Sequence, residues 1–156
     1  MDNTSRMRKA PSNLVHCDPW HIAYLAELAR PDEIAQFQAL GESGSLADYC
    51  NSRQGPKFTV LANGMPIAAG GYFLVDDRVY QSWMIGTMDG WRDHWRSITK
   101  AVRWLIEAML ETCADRLETY VLSSRTKAIE WYERALGFVR EEGYENPVAS
   151  LYIRCA

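Results

Sequence analysis

An α/β domain is the fold class this sequence predicts: a mixed sheet that opens as an antiparallel meander and continues through strands joined by helices, with helices on both faces. Three features carry the prediction. Apolar residues recur at helical spacing through the first third of the chain. The middle third turns to β-rich runs broken by hairpin signals. The last third alternates helical and strand-like segments, which brings crossover-linked strands beside the meander.

The elements follow in order. Residues 1–12, MDNTSRMRKAPS, read as an N-terminal arm, and 13–156 as one domain. Asp18 is placed to cap a helix whose first position is Pro19, and Ile22, Leu25, Leu28 and Ala29 give that helix its apolar face. Pro31 restarts the pattern, which runs through Ile34, Phe37 and Leu40 to Gly41 as C-cap. Ser45, with Asp48 three residues on, opens a short helix over 46–50. Three strands are expected across KFTVLANGMPIAAGGYFLVDDRVYQSWMIGT, turned at Asn63-Gly64 and Asp76-Asp77. Gly70-Gly71 inside the second strand implies a bulge or a close backbone approach. A long helix is expected from Trp95, buried through Ile98, Val102, Leu105, Ile106 and Met109. A strand over 116–124, a helix over 127–136 and a final hairpin of 138–142 with 150–154 complete the chain.

Composition narrows the partners. At 47% hydrophobic and 24% charged residues with a net charge of -3, the chain reads as a globular protein. It lacks the basic excess that a nucleic-acid backbone demands. No apolar run reaches the ~20 residues of a membrane span, so no membrane partner is expected. Cys17, Cys50, Cys113 and Cys155 and the three histidines show no metal-ligand spacing, so no metal is expected. Four reduced thiols and a cytoplasmic location are the simplest reading.

The most specific pattern lies near the C-terminus. Arg125, Ala128, Tyr132, Gly137 and Phe138 are spaced so that Ala128 permits close helix approach. Gly137 ends the helix in the left-handed conformation, and Phe138 enters the core. This spacing resembles the C-terminal signature of the GNAT superfamily of acyl-CoA-dependent N-acyltransferases, with Arg125 standing where that family has Asn. The order of elements is similar as well.

The resemblance implies acetyl-CoA as cofactor and an amine on a small molecule or protein as substrate. It makes Tyr132 the general acid that protonates the leaving thiolate. It places the pantetheine on the strand edge at Met84, Ile85 and Gly86, and phosphate or substrate at Arg92, Arg96, Ser97 and Arg125. The family's glycine-rich pyrophosphate loop is not reproduced: TMDGWRDHWRSITK carries bulky residues there, and Arg92, Arg96, Lys100 and Arg103 offer charge instead. No carboxylate lies on VYQSWMIGT to serve as general base; Asp89, Asp93 and His94 just beyond it are the nearest candidates.

A narrower similarity over about 58–142 is to a phage-encoded GNAT-like branch that includes internal virion proteins of short-tailed phages. It implies a phage origin, a location in the host cytoplasm or virion, and a second reading. In that reading the fold is non-catalytic, serving virion assembly or host-factor binding, with Trp83, Trp91 and Trp95 as interface anchors.

Overall fold

A computed structural model of the chain describes residues 8–40 and 44–156. The first seven residues of the expected arm and the expected cap Gly41 lie outside the described residues. Asp18 and Pro19 open α1 (Pro19–Glu27) as expected, and Pro31 opens α2 (Pro31–Ala39). Ser45 caps α3 (Leu46–Ser52) by accepting the Asp48 amide hydrogen. Before them the sequence reading missed a strand, β1 (Leu14–His16), which pairs antiparallel with β2 (Lys57–Ala62). Three residues are too few to display a period of two, so only the pairing reveals them.

The meander is present as β2, β3 (Met65–Asp76) and β4 (Val79–Gly86). Asn63 and Gly64 both take positive φ at the first turn. The second turn sits at Asp77–Arg78, one residue later than expected, with Arg78 in the left-handed region. Gly70-Gly71 is a close approach and no bulge. The ladder runs unbroken through both glycines, and a Cβ on Gly70 would stand 2.8 Å from the Trp83 carbonyl oxygen.

The long helix α4 (Met88–Thr112) begins seven residues before Trp95. Thr87 caps it, its hydroxyl accepting from the Gly90 amide at 2.8 Å, and the backbone breaks from helical geometry at His94. The stretch expected as a loop is therefore helix with a kink. After β5 (Arg116–Leu122), α5 (Thr126–Glu130) continues into a π-helical turn (Trp131–Ala135). Gly137 then turns at φ +75° and Phe138 buries its ring, both as expected, before β6 (Val139–Arg140) and β7 (Ala149–Cys155).

The seven strands are ordered β1-β2-β3-β4-β5-β7-β6. On one face α1 and α3 cover Cys17, Ile22, Leu25, Cys50, Ala69, Trp83 and Ile85. On the other, Ile98, Leu105, Ile106 and Met109 of α4 pack over the sheet, joined by Leu117, Val121, Leu136 and Phe138. Each such apolar side chain contributes about 1.5–3 kcal/mol by leaving water. What positions the site is the join between β4 and β5. These strands run parallel but pair only at Val79 with Arg116, Tyr80 with Leu117 and Gln81 with Glu118. From Ser82 and Thr119 onward they splay apart.

Candidate active site

α2 lies across the open end of that splay. Two residues three apart on a helix share a face, and Glu33 and Gln36 use that face to satisfy both strand edges. Glu33 Oε2 accepts from the Gly86 amide of β4 at 3.0 Å. Gln36 Nε2 donates to the Tyr120 carbonyl of β5 at 2.9 Å, and its Oε1 accepts from the Leu122 amide at 3.3 Å. The two side chains thus complete hydrogen bonds that a continuous ladder would have made.

A cavity of about 710 Å³ opens here. Its walls come from α2 and α3 on one side and from α4, α5 and the π-turn on the other, with β4 and β5 as its floor. Glu33 is 93% buried beside it, since only 7% of its surface is exposed. Burial pushes its carboxyl from 4.5 up to about 7. The Gly86 amide, the Trp91 indole donating to Oε1 at 3.0 Å and the Arg125 charge all work against that rise. A carboxylate in this condition is half ionised near neutrality and each oxygen keeps a lone pair, which suits a general base. Sequence reasoning found no candidate base because it searched the strand; this carboxylate sits on the helix above it. Asp89 and Asp93 are instead exposed partners of Arg92, and with His94 they lie off the cavity wall.

Tyr132 faces the same cavity from the π-turn. The turn arises because the Leu136 amide reaches back five residues to the Trp131 carbonyl at 3.2 Å. Within this turn the Trp131 indole donates to the Thr99 hydroxyl of α4 at 2.9 Å, and Tyr132 packs edge-on against Phe138 at 5.5 Å. Burial raises the Tyr132 hydroxyl above its usual range, with the Thr119 hydroxyl and the Arg125 charge opposing. It therefore stays protonated at neutral pH, as a proton donor must. An aromatic run links the indole that donates to Glu33 with Tyr132: Trp91 meets Trp131 at 5.0 Å and Trp131 meets Tyr132 at 5.1 Å.

The other sequence-nominated residues scatter. Met84 and Ile85 line the cavity, and the Gly86 amide is engaged by Glu33. Arg125 lines it too, paired with Asp32 at 2.9 Å and donating to Gln36. Arg92 is drawn to Asp89 and Asp93, and Arg96 lies over the Trp95 ring. The Ser97 hydroxyl accepts from Asn13 at 2.6 Å. Of the three tryptophans read as interface anchors, Trp83 is buried and Trp91 is a cleft wall; Trp95 is 47% exposed.

No known family's sequence profile matches the chain, and no curated protein matches it. Solved structures do. The GNAT domain of S. lividans PAT aligns with a TM-score of 0.71 at 13% identity, over 92% of this chain and 89% of that one. The aminoglycoside acetyltransferase AAC(6')-Ib, in complex with paromomycin and acetyl-CoA, aligns at 0.66 and 17% identity over 92% of each chain. RimL, a ribosomal L7/L12 alpha-N-protein acetyltransferase in complex with coenzyme A, aligns at 0.65 and 8% identity over 94% and 96%. The protein has the fold of the GNAT acetyltransferases.

Proposed function

We propose that the protein is an acyl-CoA-dependent N-acyltransferase that moves an acetyl group from acetyl-CoA to a primary amine. The observation that carries this is the pairing of Glu33, a buried carboxylate with its pKa near neutrality, and Tyr132, a protonated phenol, in one cavity at the β4–β5 splay. The cavity suits a thioester arm. By strand alternation Ser82 and Met84 turn their backbone groups the same way as Gly86, into the gap. Trp91, Trp131 and the small Ala128 wall it. Lys127 stands on the α5 wall and Arg134, paired with Glu130, on the π-turn, with Arg96 beside Trp95, as cations for the phosphates. Charge there takes over from the missing glycine amides, and Arg92, held by two aspartates, is the least suited to help.

Acetyl-CoA supplies the acetyl group as a thioester and departs as a thiol. Glu33 takes a proton from the acceptor amine onto a free carboxylate lone pair. Its bonds to Gly86 and Trp91 fix that carboxylate in place. Tyr132 Oη gives its proton to the departing sulfur, and the Thr119 hydroxyl beside it aims the phenol. Trp91 and Trp131 keep water from the gap.

Calorimetric titration with acetyl-CoA tests the reading. Saturable binding is expected, and Tyr132→Phe should keep that affinity while slowing transfer roughly a hundredfold or more. An absence of heat at millimolar acetyl-CoA would sink the proposal. The alternative of a non-catalytic phage binding protein loses two of its three anchors from the surface, Trp83 by burial and Trp91 to the cleft wall, and a phage origin draws no support from the structural neighbours.

A further inference from the structure

The α2 wall of the cavity presents its side chains in an ordered stripe. Arg30 stands immediately before the helix, Glu33 follows, and Phe37 and Leu40 come after it, all facing the cavity. At a rise of 1.5 Å per residue, Glu33 lies about 4.5 Å along the axis from Arg30 and about 6 Å from Phe37. A cation, a base and an apolar surface thus succeed one another within the length of a small molecule.

Charge on this wall is unbalanced. Asp32 carries both Arg30, at 3.1 Å, and Arg125, at 2.9 Å. Two guanidiniums share the Asp32 carboxylate, and Glu33, half ionised near neutrality, adds only part of a second negative charge, so these four groups stay net positive. Arg125 is held further by Gln36 and is the more buried of the two. Arg30, with about a third of its side chain exposed, is the one placed to meet a ligand. Beyond Glu33 the wall is apolar: Phe37 packs edge-on against Tyr49 at 5.2 Å, and Leu40 and Leu46 continue it.

Resting on the acyltransferase reading, we infer that the acceptor is a free α-amino acid with an apolar side chain, bound as its zwitterion along α2. Its carboxylate meets Arg30, its amine meets Glu33 and its side chain lies against Phe37 and Leu40. These three groups radiate from one carbon in an α-amino acid, and the stripe supplies a partner for each. A peptide N-terminus lacks the carboxylate beside its amine. A polycationic amine would bring a second ammonium against Arg30 and Arg125, so the acceptor differs in charge from the paromomycin held by AAC(6')-Ib.

The test compares phenylalanine, phenethylamine (the same amine without its carboxylate) and paromomycin as acceptors, with thiol release from acetyl-CoA as the readout. Phenylalanine should exceed phenethylamine in kcat/KM by roughly tenfold to a hundredfold, the worth of a charge-assisted hydrogen bond. In Arg30→Gln that ratio should fall to about one. Equal use of the two amines, a preference for paromomycin, or a ratio that survives Arg30→Gln overturns the inference and leaves the acyltransferase reading standing. Titrating phenylalanine and phenethylamine against the protein without donor reads the same subsite independently of turnover. Tighter phenylalanine binding supports the inference; equal binding, or none, overturns it. Binding of phenylalanine with no transfer to any amine would instead remove the acyltransferase reading, and with it the role of acceptor, leaving only an amino-acid subsite.

Discussion

Glu33 decides most of what this site can do, and nothing in its sequence surroundings announces it. Asp32-Glu33 behind Pro31 looks like an acidic first turn that favours the helix dipole on a solvated surface. Its burial exists only because Gly86 and Trp91, more than fifty residues away, close over it. Tyr132 was legible because its spacing to Gly137 and Phe138 is local. A Glu33→Gln variant should lose roughly a hundredfold to ten-thousandfold of transfer activity. The wild-type pH–rate profile should rise through about pH 7 as Glu33 gives up its proton, and the variant should lack that limb. An unchanged acidic limb would move the base elsewhere.

The contact between β4 and α4 depends on an absent side chain. A Cβ on Gly86 would stand 2.5 Å from Trp91 Nε1, so Gly86→Ala must push the indole off Glu33. Glu33 then loses a donor that favours its charged form. The acidic limb of the rate profile should move upward from about 7 as a result, a shift that titration of kcat/KM reads directly. Most elements were legible where their signals were local: the caps at Asp18, Ser45 and Gly137, and the turn at Asn63-Gly64. The start of α4 was misplaced although Thr87 is a favoured N-cap with Asp89 in the first turn, because the bulky run after it was read as a degraded loop. The kink at His94 and the π-turn at Trp131–Ala135 leave no mark on the hydrophobic pattern, since both are settled by packing between α4, α5 and the sheet.

For the whole molecule, Glu33 ties folding to pH. Its folded pKa is raised, so the fold favours the protonated form. The associated stability is complete below about pH 4.5, declines as pH rises, and is lost once pH passes about 7. The shift corresponds to about 3 kcal/mol. Thermal unfolding should therefore show the wild-type midpoint falling more steeply than that of Glu33→Gln between about pH 5 and about pH 8. Parallel curves would mean that Glu33 is not the group responsible. On the acyltransferase reading the acidic window and the active window thus oppose one another: the protein is firmest where Glu33 is protonated.

The same helix has a mechanical meaning. β1–β4 and β5–β7 are two leaves joined along one seam by three residue pairs, from Val79 with Arg116 to Gln81 with Glu118. At the far end α2 is the clasp, one turn of helix gripping Gly86 on one leaf and Tyr120 and Leu122 on the other. Whatever draws Glu33 toward an acceptor therefore also pulls on the fastening of the sheet. The Leu122 amide, held on that side by Gln36, is where such loosening would first let solvent in.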